Sequence, residues 1–149
     1  MRIKHTLDIR CAPGTVWYWL ATPERALAWQ TGISTTEILE STPNVIGTTF
    51  RETVGNVTGA VELRGVVTDY REDLELGMHV ESKYNGVDVR WLLEDRGEYT
   101  RLTVRSNVRF KGPLWLISLA MRPTFKRKLI AQVTEEHSQL RRLCESGQR

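Results

Sequence analysis

Cysteine is scarce: Cys11 and Cys144, near opposite ends, are the only two among 149 residues. One potential pair is too little for a disulfide scaffold, so both are read as reduced thiols. No stretch approaches the roughly 18 consecutive apolar residues of a membrane-spanning helix. Met1 to Thr6 alternate instead of forming an apolar signal core, and the expectation is a cytoplasmic protein. Repeats, low-complexity tracts and Pro/Gly/Ser linkers are lacking too, which leaves residues 1–149 as one expected domain. His5, His79 and His137 lie far apart, without an H-x-x-x-H or C-x-x-C spacing, so no metal site is expected. The chain also lacks a G-x-S-x-G elbow, a phosphate-binding glycine loop and a G-x-G-x-x-G turn. Hydrolase-triad, nucleoside-triphosphate and dinucleotide chemistry thereby lose their usual support, and cofactor-free binding remains.

What is present is an ordinary globular composition, 40% hydrophobic and 26% charged. At this length folding buries about two-thirds of the surface of the unfolded chain, enough for a core or for a core hollowed by a ligand cavity. The net charge of +3 hides an asymmetry. Residues 1 to 110 carry 13 basic and 15 acidic side chains, whereas 111 to 149 carry eight basic and three acidic. A basic tail of this kind is most often a solvated helix face. Nucleic acid is not expected as a partner, because the cations lack interleaved stacking aromatics.

Ile3, His5, Leu7 and Ile9 alternate with polar residues, the period-2 mark of a strand with one buried face. Pro13 and Gly14 end it. Two short helices follow, the second opened by Thr22-Pro23 and stopped before Gly32. Strands are then expected at about 33 to 41, 46 to 54, 57 to 70, 74 to 84, 87 to 95 and 99 to 110. Asn85-Gly86 predicts a type I′ hairpin that sets Val80 opposite Trp91 and Met78 opposite Leu93. A turn near Arg96-Gly97 sets Trp91 opposite Leu102 and Val89 opposite Val104, and one at Glu72-Asp73 aligns Val67 with Met78. The inward face then holds Val57, Val61, Leu63, Val67, Leu76, Met78, Val80, Val89, Trp91, Leu93, Leu102, Val104, Ser106 and Val108. After Gly112-Pro113, apolar residues from Leu114 to Leu143 follow one helical stripe of about thirty residues, with a kink expected near Arg122 because Pro123 removes a backbone donor. The class is α+β.

This order of elements resembles the helix-grip fold of the START-like or SRPBCC superfamily over essentially the whole chain. Cys11-Ala12-Pro13-Gly14-Thr15-Val16-Trp17 is similar to that superfamily's entry into its first helix, and Pro23 to Trp29 to its P-x-x-x-x-x-W second helix. Ile46-Gly47-Thr48-Thr49-Phe50 resembles its G-x-x-F strand, and Arg64-Gly65-Val66-Val67 its G-x-V strand. The resemblance implies a curved antiparallel sheet of about seven strands wrapped around a long C-terminal helix, with two short N-terminal helices. It also implies a cavity between sheet and C-terminal helix for a hydrophobic small molecule such as a lipid, isoprenoid or polyketide-like compound. The superfamily includes polyketide cyclases and lipid-transfer domains and has no shared catalytic motif to carry over.

Candidate lining residues are Phe50, Val61, Leu63, Met78, Val80, Trp91, Val104, Ser106, Ser118, Met121 and Phe125. His5 and Ser106, both on inward positions, are the first candidates for catalysis should the cavity serve a cyclase or dehydratase. The ordinary alternatives are a hydrogen-bonded core histidine and a small core residue. Arg101, Arg105 and Arg109 alternate on the outer face and read as solvated ion pairs. The apolar run Leu114 to Met121, followed by Arg122, Lys126, Arg127 and Lys128, leaves three readings open: a segment packed inside the protein, a homodimer contact, or a transient membrane-surface element.

Overall fold

Period-2 alternation in seven segments produces one antiparallel sheet. The computed structural model describes residues 1–55 and 60–146, so the expected inward position of Val57 lies outside the described residues. Strand β1 (Arg2–Ile9) leads into helices α1 (Pro13–Leu20) and α2 (Pro23–Ala26). Strands β2 (Ile33–Glu40), β3 (Thr49–Val54), β4 (Val61–Arg71), β5 (Glu75–Glu81), β6 (Asn85–Asp95) and β7 (Thr100–Phe110) follow. Helices α3 (Pro113–Ala120) and α4 (Arg122–Glu145) close the chain. The strand order is β1-β7-β6-β5-β4-β3-β2. The chain crosses through α1 and α2 to the far edge, then meanders back until β7 pairs with β1, leaving β1 and β2 as edges.

The hairpin registers differ from the sequence expectation in an instructive way. At β5–β6 the turn falls on Lys83-Tyr84: the Ser82 N–H donates to Asn85 O at 2.9 Å, and Val80 faces Val87 while Leu76 faces Trp91. The Ser82 hydroxyl accepts from the Tyr84 and Asn85 N–H groups, both at 3.1 Å. That local serine cap satisfies the turn's backbone donors, and it takes the place of an Asn85-Gly86 turn. The next hairpin turns at Gly97-Glu98, with Gly97 at φ +85, and sets Trp91 opposite Val104 and Val89 opposite Ser106. The slips are of four and two residues in pairing sum, both even, so every side chain keeps its expected face. Val67 does face Met78, by a different route: the turn takes three residues, Glu72 to Leu74, with Asp73 at φ +63, and a bulge at Thr68 removes the extra one.

The core lies between the inward sheet face, α1 and the last turns of α4. Ile9, Val16, Leu102 and Leu140 are fully buried, and Trp29 is nearly so. Trp29 donates its indole N–H to Trp19 O at 2.9 Å. Gly65 is required on β4, because a Cβ there would sit 2.1 Å from Cζ of Phe50, whose ring lies across the strand.

Instead of one kinked C-terminal helix there are two, broken at Met121 (φ −106, ψ 17), one residue before the expected kink. Pro123 then occupies the first turn of α4, where its missing N–H costs nothing. Only the far part of α4 enters the core, through His137, Leu140 and Cys144. The residues from Arg122 to Ala131 are largely exposed, with Phe125 and Leu129 half-buried, so the sheet grips the end of the helix and leaves its start outside.

Candidate ligand cavity

A cavity of about 120 Å3 opens beneath α2 against the inward faces of β2 to β6. Phe50, Met78 and Trp91, three of the candidate lining residues, line it together with Leu20 and Ala26 from the helices and Val67, Tyr70 and Leu76 from the sheet. Its location differs from the expectation in one respect: no residue of α3 or α4 lines it. The short N-terminal helices supply the roof because α4 engages the sheet at the opposite, β1 side.

One charged side chain lines this apolar space. Glu52 follows Phe50 by two residues on β3 and so shares its face. It makes no hydrogen bond or ion pair with the described residues, and burial pushes its carboxyl pKa above the ordinary value. Opposite it on β2 stands Thr36, whose hydroxyl is buried without a partner. Directly paired antiparallel residues present their side chains on one face. The carboxyl that lines the cavity and a hydroxyl just beyond its wall, both without a partner among the described residues, therefore stand side by side, two groups able to take a ligand's polar atoms. Neither was singled out from the sequence, although the alternation Phe50, Glu52 carried the signal.

The other expected lining residues lie elsewhere. Leu63 pairs with Glu52 and Val61 with Val54 on the inward face, outside the cavity walls. Val80 packs partly buried against the core, and Val104 is buried between His5 and Trp91 in the strand pairing. Ser106 lies in the row Ile3, Ser106, Val89, away from the cavity. Ser118 is buried but donates to Trp115 O within its own helix at 2.7 Å. Met121 is exposed at the helix break, and the Phe125 ring packs on Phe110 with centroids 5.6 Å apart.

His5 is half-buried on β1, its pKa lowered by burial and then by Arg141, and its ring lies 5.9 Å from that of His137. The better-defined histidine is His137, which falls on the α4 stripe between Val133 and Leu140. Its Nδ1–H donates to Val133 O at 2.7 Å and its Nε2 accepts from the Trp91 indole N–H at 3.1 Å, a pairing that assigns the neutral ring with the proton on Nδ1. Burial lowers its pKa to about 4. Trp91 is thus shared: its ring lines the cavity and its N–H anchors α4.

A larger trough of about 690 Å3 is edged by Arg2, Lys4, Arg90, Arg105, Asp69 and Asp88, and Ile3, Met78, Val89 and the candidate Ser106 also line it. It is open and charged, with Arg90 paired to Asp69 at 2.8 Å, and offers an apolar molecule no shelter. Among the described residues, no three His, Cys, Asp or Glu side chains converge in a way that could hold a metal ion.

Comparison with known proteins places this geometry. No curated protein matches the chain at a significant level of sequence similarity. Among solved structures, the chain is similar to the protein TTHA0849 from Thermus thermophilus, with a TM-score of 0.80 at 13% identity over 100% of both chains. It is similar also to the di-domain ARO/CYC StfQ from the steffimycin biosynthetic pathway (TM-score 0.79, 15% identity, 97% of this chain and 50% of that one). A START superfamily protein from Mycobacterium smegmatis gives a TM-score of 0.66 at 15% identity, over 91% of this chain and 97% of that one. At such identities the likeness establishes the fold, the helix-grip arrangement of a seven-stranded antiparallel sheet with a long C-terminal helix. A family model described as polyketide cyclase/dehydrase and lipid transport matches residues 1–145. The chain belongs to that family.

Proposed function

We propose that the protein binds a hydrophobic small molecule, of the lipid, isoprenoid or polyketide-like kind, in the cavity beneath α2, with a polar atom of the ligand met by Glu52 and Thr36. The observation that carries this reading is an apolar cavity with one unpartnered carboxyl at its edge. The Thr36 hydroxyl is buried without a partner, which costs about 1–3 kcal/mol, and a ligand that supplies the partner recovers that cost on binding. At about 120 Å3 the cavity is smaller than the roughly 300 Å3 at which sites for drug-sized ligands begin. It takes one end of an elongated molecule, and the remainder leaves past Ile38, whose side chain lines the cavity and is also exposed.

A second reading, an enzyme of the cyclase or dehydratase kind, is favoured by the raised pKa of Glu52. A carboxyl that keeps its proton closer to neutral pH suits general acid–base work. In a dehydration it would protonate a departing hydroxyl, which leaves as water. The carboxylate then takes the proton from the neighbouring carbon, the carbon–carbon double bond forms, and the acid is restored. Native mass spectrometry of freshly purified protein, with solvent extraction of what is bound, tests the first reading. A retained apolar compound supports it, and failure of apolar dyes and lipids to bind at micromolar concentrations overturns it. Turnover separates the readings: an enzyme converts the compound and loses that conversion in Glu52→Gln while keeping the ligand, whereas a carrier converts nothing with or without the substitution.

A further inference from the structure

Helix α3 turns a strongly apolar sequence toward solvent. Of its eight residues only Ser118 is buried, while Trp115, Leu116, Ile117 and Leu119 are all about half exposed or more, Leu116 at 63%. Met121 at the break extends the patch. Two backbone features hold the helix out: Gly112 turns the chain at φ +58 after β7, and the break at Met121 stops α3 from merging into α4. Leaving this much contiguous apolar surface in water is uncommon outside contact sites.

The charge around the patch says what covers it. Between residues 111 and 134 there are five cations, Lys111, Arg122, Lys126, Arg127 and Lys128, and no Asp or Glu. Lys111 is paired with Glu81, but the four at the start of α4 form no ion pair with the described residues. A pocket of about 360 Å3 lies between α3 and β7, with Arg109 and Arg122 beside Trp115 and Leu119. Met1 lines it too, and its amino group has its pKa lowered by burial, then by Arg122, Arg2, Arg109 and Lys126; of these Arg122 and Arg109 line the pocket, Arg109 being paired with Asp88 at 3.0 Å. A second copy of the chain is a poor occupant. In a two-fold dimer the patch would meet itself, and unpaired cations would face unpaired cations. An anionic bilayer surface suits both features: apolar side chains enter the acyl boundary, tryptophan sits at headgroup level, and the flanking cations meet phosphate and carboxylate groups. Among the described residues no helix is long and apolar enough to cross a membrane, so the contact is one that lies on the surface.

We propose that α3, with the cationic first turns of α4, is a docking surface for an anionic phospholipid membrane. It is separate from the cavity beneath α2 and stands whatever that cavity holds. The test is flotation of the whole chain with phosphatidylcholine vesicles, with and without phosphatidylserine. The expected result is partition onto the phosphatidylserine vesicles only, weakened by added salt. The double variant Lys126→Gln/Lys128→Gln should lower partition roughly 30-fold, from about 1 kcal/mol per cation near such a surface. Trp115→Ser/Leu116→Ser should abolish it while leaving circular dichroism and thermal unfolding unchanged, because both side chains are exposed. Absence of binding to phosphatidylserine vesicles overturns the proposal, as does binding indifferent to both double variants. A stable solution dimer that shields Trp115 would also overturn it.

Discussion

Acid should weaken this fold chiefly through His137, whose pKa is lowered to about 4. The neutral ring is satisfied on both sides, donating from Nδ1 to Val133 O and accepting at Nε2 from Trp91. A second proton would have to sit on Nε2, against the Trp91 N–H, in a site only 2% exposed. Around it stand His5 from β1, Trp29, Trp91 and, one turn further along α4, Arg141; none is a carboxylate that would welcome the charge. Burial therefore lowers the pKa from 6.5 to about 4. The unfolded state takes up a proton in that window which the folded state refuses. Stability is complete above the window and falls as the pH falls through it, by ~3 kcal/mol from about two and a half units at about 1.4 kcal/mol each. That is a large share of a typical 5–15 kcal/mol. His5, its pKa also lowered, acts in the same direction. Urea unfolding followed by tryptophan fluorescence at about pH 7.5 and about pH 4.5 checks this. His137→Gln should be less stable at the higher pH yet lose about 2–3 kcal/mol less than the unsubstituted protein on acidification. Parallel losses in the two proteins would refute the assignment of acid sensitivity to His137.

Other consequences follow from single contacts. Gly65→Ala places a methyl 2.1 Å from Cζ of Phe50, so the ring must move; a loss of about 1–3 kcal/mol in urea unfolding should be accompanied by weaker binding of apolar dyes. Glu52→Leu should stabilise the protein near neutral pH. The native carboxyl's raised pKa means its unfavourable charge appears as pH rises through that value, so the gain should shrink in acid, as thermal unfolding across pH would show. Cys144 is buried, and its pKa is pushed up by a hydrogen bond with Cys11 and then by burial. Alkylation of the folded protein should leave Cys144 unmodified, with labelling only on unfolding, read by peptide mass spectrometry.

The chain's alternation determined which face each strand residue takes, and it did so even where the pairing was misjudged. Val80, Trp91 and Leu102 point inward in the structure although their expected partners are wrong, because slips of two and four leave parity intact. The same alternation carries Glu52 as an inward neighbour of Phe50, and helical spacing carries His137 between Val133 and Leu140, although the sequence reading singled out neither for these positions. What the sequence reading missed was decided by one local turn and by contacts between distant segments. The Asn85-Gly86 signal yielded to a serine side chain capping its own turn, a local hydrogen bond whose geometry depends on the finished hairpin. Periodicity put the apolar residues of α3 and of the start of α4 on one stripe and left open what covers it, since it records which residues share a side and not whether another element arrives to cover that side. Here α4 meets the sheet only through its last turns, leaving α1 and α2 to roof the cavity and the apolar face of α3 in solvent. Alternation along a strand is a property of neighbouring residues, whereas a cavity, a half-buried carboxyl's environment and an uncovered helix depend on how separate elements come to rest against one another.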